Sequence, residues 1–427
     1  MILNRRNFLH LSTAATGTGV LASLKSFGAA AKKNPPTGEK KIARVTDKAI
    51  PISLKEREGR IEKAQRLLAE SKMEALILDA GTSMEYFTGI SWYLSERPMI
   101  AIIPAKGGVR YVCPGFEESR LRELIKIGKD VYPWQEDESP YKVVANVVKD
   151  SGIRSGNIGI EERLRFFILD GIRKEATHLN YQSGDPVSVE CRIIKSPAEL
   201  ALMQIANDIT VAAIKIGISS LKEGMSPQDF SATVSKVHEQ MGAVSDFAGV
   251  NFGPASAFPH GSIQPQKLKT GDIVLMDCGC RVEGYSSDIS RTIVFGAEPT
   301  PRQLEIWNLE QKAQAAGFAA AKLHDACENV DAAARKVLTD AGFGPGYKLP
   351  GLPHRTGHGI GMDGHEWGNM VKGNKTLLQP GMCFSVEPNI SIVGEFGVRL
   401  EDCAYMTEAG PKWFSQPSVS IGQPFAS

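Results

Sequence analysis

The apolar positions change period several times along the chain, and each change marks an element. From residue 54 to 71, Ile61, Ala64, Leu67 and Leu68 recur at helical spacing among charged residues. Residues 75–78 form a short continuous apolar run, as a buried strand does. Residues 99–103 form another, and residues 109–112 read as its hairpin partner across Lys106-Gly107-Gly108. Helical and strand patterns alternate to about residue 190, which predicts an α/β domain over residues 55–190. At Ser196-Pro197-Ala198-Glu199 the capping residue, the proline in the first helical position and the glutamate together spell a helix start. A long amphipathic helix is predicted from there to about residue 221, and Ser226-Pro227 opens a second in the same way. The rest, residues 191–420, reads as a degenerate repeat. A helix leads into a hairpin, then helices over about 301–323 and 330–341 lead into another hairpin. The predicted fold class is therefore mixed α/β (α+β) in two domains.

The second domain carries the chemistry. Asp277 ends the run Ile273-Val274-Leu275-Met276, and Asp288 begins a strand pattern through Val294. Glu387 follows Cys383-Phe384-Ser385-Val386, and Glu401 follows Gly397-Val398-Arg399-Leu400. Each hairpin would present one acid from each of two paired strands on the same face, and two hairpins joined in one sheet would gather all four. Ionised carboxylates in buried strands are costly unless positive charge meets them, and four together repel. His358 lies in the glycine-rich run Thr356-Gly357-His358-Gly359-Ile360-Gly361. Two divalent cations would reconcile the set, and oxygen ligands with one imidazole suit manganese first, with cobalt, zinc or iron also accommodated.

Composition narrows the field. Of 427 residues, 42% are hydrophobic and 23% charged, which is globular and too long for one core. A net charge of +1 gives no pull toward nucleic acid or an anionic membrane. The seven cysteines (113, 191, 278, 280, 327, 383 and 403) have no scaffold spacing and read as small apolar residues packed in strands. Strand alternation turns Cys278 and its like away from the acids. At the N-terminus, Asn4-Arg5-Arg6-Asn7-Phe8-Leu9, an apolar stretch over residues 11–24 and Ala29-Ala30-Ala31 resemble a twin-arginine export signal. That resemblance implies a signal over residues 1–31, a linker over 32–54 and a periplasmic or otherwise exported protein. No other stretch was expected to be long and apolar enough to span a bilayer.

Five blocks in order, Met276-Asp277-Cys278-Gly279, Ser287-Asp288-Ile289-Ser290-Arg291-Thr292, His354-Arg355-Thr356-Gly357-His358-Gly359-Ile360-Gly361, Ser385-Val386-Glu387-Pro388 and Val398-Arg399-Leu400-Glu401-Asp402, resemble the metal-ligand blocks of the pita-bread metallopeptidases. The prolidase and aminopeptidase P branch is the nearest match, over about residues 54–415, with a creatinase-type N-terminal domain. The resemblance implies a pita-bread catalytic domain with pseudo-twofold symmetry. It implies two metals bridged by Asp288 and Glu401, with Asp277 on one and His358 and Glu387 on the other. It implies hydrolysis of Xaa-Pro bonds in short peptides by a water or hydroxide shared between the ions, with Glu387 as proton acceptor. His260 would touch the substrate or the oxyanion, His365 would stabilise the intermediate, and His354 would line the pocket. The alternative for each is a satisfied structural histidine. Arg399 would partner the site carboxylates or a dipeptide's terminal carboxylate, or form a structural ion pair. A homodimer is also implied. Competing functions on the same fold are a creatinase- or ectoine-hydrolase-like C–N hydrolase of a small amide, and a noncatalytic binding module. A methionyl aminopeptidase fits less well because of the N-terminal domain.

Overall fold

Strand β1 (Met73–Asp79) shows why its apolar run is continuous: both faces are buried. Leu76 and Leu78 enter one apolar cluster with α1 (Leu54–Glu70), while Ala75 and Ile77 enter another with α4 (Pro140–Asp150) and α5 (Phe166–Glu175). The computed structural model describes residues 42–425. The expected signal over residues 1–31 and the start of the expected linker lie outside the described residues. The later part of that linker is docked rather than free. The Val45 N–H donates to the Met241 carbonyl at 2.9 Å, and Ile52 is buried.

The N-terminal sheet adds β2 (Ile100–Pro104), β3 (Arg110–Pro114), β4 (Asp130–Trp134), β5 (Asn157–Ile160) and β6 (Asn180–Ser183), in the order β4-β3-β2-β1-β5-β6. The predicted β2–β3 hairpin is antiparallel, as is β1–β2, and the outer pairings are parallel. Three shorter helices complete this half: α2 (Thr82–Thr88), α3 (Glu118–Leu124) and α6 (Asp185–Arg192).

The second half runs helix, helix, antiparallel sheet, twice. First come α7 (Pro197–Ser220), α8 (Pro227–Met241), β7 (Val244–Phe252), β8 (Ile273–Val282), β9 (Tyr285–Ser286) and β10 (Ile289–Val294). Then come α9 (Pro301–Ala320), α10 (Glu328–Asp340), β11 (Gly357–Gly359), β12 (Glu366–Met370), β13 (Cys383–Val386), β14 (Asn389–Ile392), β15 (Phe396–Arg399), β16 (Asp402–Thr407) and β17 (Gly410–Trp413). Both predicted capping boxes form, Ser196 with Glu199 and Ser226 with Asp229.

Three expectations need correction. Helix α7 is long and apolar enough, by length and composition, to cross a bilayer. Its Leu202, Met203, Ala206, Ile209, Ala213 and Ile214 are nevertheless buried in the main core, which accounts for that composition. The two acid-bearing hairpins do not share one continuous sheet. They belong to separate sheets, joined at a single Ser290–Glu401 bridge. The seven cysteines are buried and free, but Cys191 lies on α6 and Cys327 caps α10, not in strands.

Candidate metal centre

Register sets the acids face to face. In the first hairpin Ser290 pairs with Asp277 and Ile289 with Cys278. Asp288, two residues before Ser290, therefore shares the face of Asp277. In the second, Val386 faces Asp402 and Asn389 faces Arg399. The same register carried through Pro388 sets Glu387 opposite Glu401. The bridge between the hairpins has two backbone bonds, Ser290 N–H to Glu401 O at 3.3 Å and Glu401 N–H to Ser290 O at 3.2 Å. It sits at the ligands themselves. Arg291, fully buried, locks it by donating to the Ser290 and Glu401 carbonyls and to Asp402 Oδ1 at 2.7 Å.

His358 arrives on β11. Its Nδ1 is 3.0 Å from the Gly359 carbonyl, which only accepts, so the proton sits on Nδ1 and the Nε2 lone pair faces the acids. That Nε2 lies 3.1 Å from Glu387 Oε1, 3.7 Å from Asp288 Oδ2 and 4.0 Å from Glu401 Oε1. Lone pairs oppose one another there unless a proton or a cation lies between. Gly357 and Gly359 allow this close packing: a Cβ on either would overlap a carbonyl oxygen, of Ser385 or of Trp367.

The electrostatics agree. Burial raises the Asp288 carboxyl well above the usual range, and Asp277 and Glu387 push it further. Burial likewise raises Glu401, with Asp288 and Glu387 adding to it. Burial also opposes ionisation of Glu387, but a positive charge at the His358 Nε2 contact, with His354 and Arg399, holds it down at about 2, so this contact calls for a proton or a cation between the two groups. Glu401 Oε2 accepts from Ser290 Oγ at 2.8 Å, while its buried Oε1 has no hydrogen-bond partner. A buried carboxylate oxygen without a hydrogen-bond donor, facing an imidazole lone pair, is a donor pair that suits a cation. Three overlapping groups, Asp288 with His358 and His365, His358 with Glu387 and Glu401, and Asp277 with Asp288 and Glu401, each bring their ligand atoms within 4.8 Å of one another. The donor set therefore fits divalent metal.

All nine sequence-predicted site residues line one cavity of about 510 Å³. His354 bonds the Arg355 carbonyl through Nδ1 at 2.7 Å, leaving a buried Nε2 without a partner, and burial lowers its pKa. His365 is exposed and stacks on His358, ring centroids 3.9 Å apart. Although the residue is exposed overall, its ring is partly desolvated by the groups packed around it, and this, with His358 and Arg355 beside it, pushes its pKa down to about 4. The Arg355 guanidinium donates to its Nδ1 at 3.0 Å, which puts the His365 proton on Nε2. His260 reaches the cavity from the loop after residue 257 and is exposed. Arg399 is buried among Asp277, Ser290 Oγ at 2.8 Å and the Pro259 carbonyl at 3.3 Å, so it faces the site carboxylates.

The sequence reading missed two features. Arg355 lines the same cavity, although it sits in the His354–Gly361 block. The loop bearing His365 is also anchored to the segment that joins the two halves. Arg192 reaches Asp363 and Glu366, each at 2.6 Å, and Lys195 reaches Glu366 at 2.8 Å. Burial opposes Glu366 ionisation, yet Lys195 and Arg192 hold it at about 2.

Residues 201–408 match metallopeptidase family M24, and residues 60–194 match the creatinase/prolidase N-terminal domain. An uncharacterized peptidase of Schizosaccharomyces pombe is 35% identical over 85% of this chain and 82% of that protein. An Xaa-Pro dipeptidase of Lactobacillus delbrueckii is 31% identical over 84% of this chain and 98% of that protein. Among solved structures, the dipeptidase PepE of Mycobacterium ulcerans superposes with a TM-score of 0.79 at 29% identity, over 86% of this chain and 97% of that one. The chain belongs to metallopeptidase family M24, with a creatinase-type N-terminal domain and a pita-bread catalytic domain. It is a peptidase, and its family implies a divalent metal at the carboxylate cluster.

Proposed function

We propose that this chain hydrolyses Xaa-Pro bonds in short proline-containing peptides with two divalent cations, manganese first. Asp277, Asp288, His358, Glu387 and Glu401 would hold them. The observation that carries the reading is the convergence of the His358 Nε2 with oxygens of Asp288, Glu387 and Glu401 within 4.0 Å. The near full-length likeness to Xaa-Pro dipeptidases supports the substrate class. When bound, the cations neutralise the carboxylate cluster, polarise the scissile carbonyl and acidify water at the site. Glu387, ionised at neutral pH, takes the proton of the attacking water and returns it to the leaving proline nitrogen. The Nε2–H of His365 donates to the oxygen that gains charge. Arg399 holds Asp277 in place and offsets part of the negative charge.

The test is hydrolysis of Ala-Pro and Ala-Pro-Ala by manganese-loaded protein, with a chelated control. Metal-dependent turnover is expected. No turnover of either by metal-loaded protein rules the reading out.

We also propose export by the twin-arginine route, on the Arg5-Arg6 pattern and the apolar stretch after it. The family match begins only at residue 60. Cell fractionation and the mature N-terminal sequence test this. A homodimer is the further expectation, checked by light scattering.

A further inference from the structure

His365 ends a segment, residues 361–365, that is neither helix nor strand. A group that must meet a developing charge has to be held to within about 0.5 Å of its productive place, and an irregular segment does not supply that by itself. The side chains on either side of His365 do. Asp363 Oδ1 accepts from Thr82 Oγ1 at 2.7 Å and from Arg163 Nη1 at 2.8 Å, and Asp363 Oδ2 accepts from Arg192 Nη2 at 2.6 Å. Glu366 Oε1 accepts from Arg192 Nη2 at 2.6 Å and from the Asp363 N–H at 3.2 Å, and Glu366 Oε2 accepts from Lys195 Nζ at 2.8 Å. Beyond them, Trp367 Nε1 donates to Glu162 Oε2 at 2.8 Å.

The far ends of these bonds lie in the N-terminal domain and in the segment after it. Thr82 and Ser83 open α2, residues 161–163 follow β5, Arg192 ends α6, and Lys195 precedes α7. Arg192 is itself tied back, donating to Ser83 Oγ at 3.0 Å, and Ser83 donates to Glu161 Oε1 at 2.7 Å. Two carboxylates thus meet three cations, and Arg192, Lys195 and Glu366 are buried, where water screens little. The backbone is seated against the ion pair: a Cβ at Gly361 would come within 2.6 Å of Glu366 Oε2 and 2.7 Å of Lys195 Cε. A bridge that served only to join two domains has no reason to land on the residues that bracket a cavity imidazole. This one lands on Asp363 and Glu366, and His365 lies between them with its ring stacked on His358.

Resting on the reading above, in which His365 donates to the oxygen that gains charge, we propose that the N-terminal domain holds this imidazole in register with the carboxylate cluster through the charged clamp on Asp363 and Glu366. Thr82, Arg163, Arg192 and Lys195 are then positioning residues for the reaction, although none of them lines the reaction cavity.

Arg192 is too deeply buried to remove cleanly, so the test loosens the clamp from its partly exposed end. Manganese-loaded wild type, Asp363→Asn and the Thr82→Val, Arg163→Met double variant are assayed on Ala-Pro, each with His365 present and with His365→Ala. With His365 present, both clamp variants should lose about ten- to a hundredfold in kcat, with KM and bound manganese within about twofold of wild type. Thr82→Ser keeps the hydroxyl and should keep kcat. With His365→Ala, the clamp variants should cost less than about twofold more, because the group they place is already gone. Losses that multiply on that background, or full kcat in both clamp variants, overturn the proposal. Loss of manganese from a clamp variant also overturns it, since the network would then be holding the metal ligands. Hydrogen exchange over residues 361–367 should rise in both clamp variants, a readout that needs no turnover. Wild type inert on Ala-Pro refutes the Xaa-Pro reading alone, and unchanged exchange over 361–367 overturns the clamp whatever the substrate.

Discussion

Asp288→Asn should stabilise the metal-free protein and destroy its response to metal. Asp288 is buried, close to His358 and Glu401, with its carboxyl pushed up by burial and by neighbouring acids. A carboxyl whose folded pKa lies above its unfolded one destabilises the fold as pH rises past about 4, and that loss is in force at pH 7. Asparagine keeps the shape and removes the charge. Relieving such repulsion is worth about 1–3 kcal/mol, less than the several kcal/mol of an unpaired buried charge because the acid sheds charge by binding a proton. With cation at a thousandfold excess over the Kd of each of two sites, wild type gains about 8 kcal/mol, about 4 per site. At about 2 cal/mol/K of unfolding entropy per residue, the 384 described residues convert 1 kcal/mol to roughly 1 °C. The metal-free variant should therefore melt about 1–3 °C above metal-free wild type. Manganese should raise wild type by about 8–10 °C and the variant by under about 1 °C. Scanning calorimetry with chelator and with excess manganese reads both. A variant that melts several degrees lower without metal, or that shows the wild-type metal shift, refutes the reasoning.

His365→Ala should keep its metal and lose about a hundredfold in kcat, as deletion of an oxyanion donor does. Metal content by mass spectrometry checks this, and a stripped site would show that His365 is a ligand instead. Gly359→Ala should cost about 3 kcal/mol, because the added Cβ overlaps the Trp367 carbonyl oxygen. A melting point within a degree of wild type contradicts that. His238 is buried with Nε2 unpartnered, and burial holds it at about 4. Its depressed pKa costs nothing above about pH 6.5 and removes up to ~3 kcal/mol as pH falls to about 4. His238→Asn should therefore narrow the melting difference between pH 7 and pH 4.5, and an unchanged difference contradicts this cause.

Much of the fold was legible because local chemistry and global packing agree. Ser196-Pro197-Ala198-Glu199 starts a helix by caps that depend on four consecutive residues. The acids were legible for the opposite reason: Asp277 and Glu387 violate the apolar pattern of their strands, and such conflict marks a functional site. What escaped depends on contacts remote in sequence. Cys191-Arg192 to Glu199 reads as a domain boundary, yet Arg192 and Lys195 are buried against Glu366 across the fold. The single bridge between hairpins is tertiary, since Ser290 and Glu401 meet only once both sheets stand. Arg355 escaped because its place beside His365 in the cavity is visible only when every neighbour is placed.

The central claim is that buried like charges converge here because two cations belong among them. Diffraction at the manganese edge, from crystals grown with excess manganese, tests it directly. Two anomalous peaks among Asp277, Asp288, His358, Glu387 and Glu401 are expected, with Asp288 and Glu401 touching both. A site with no peak, or with these side chains turned apart, contradicts the claim.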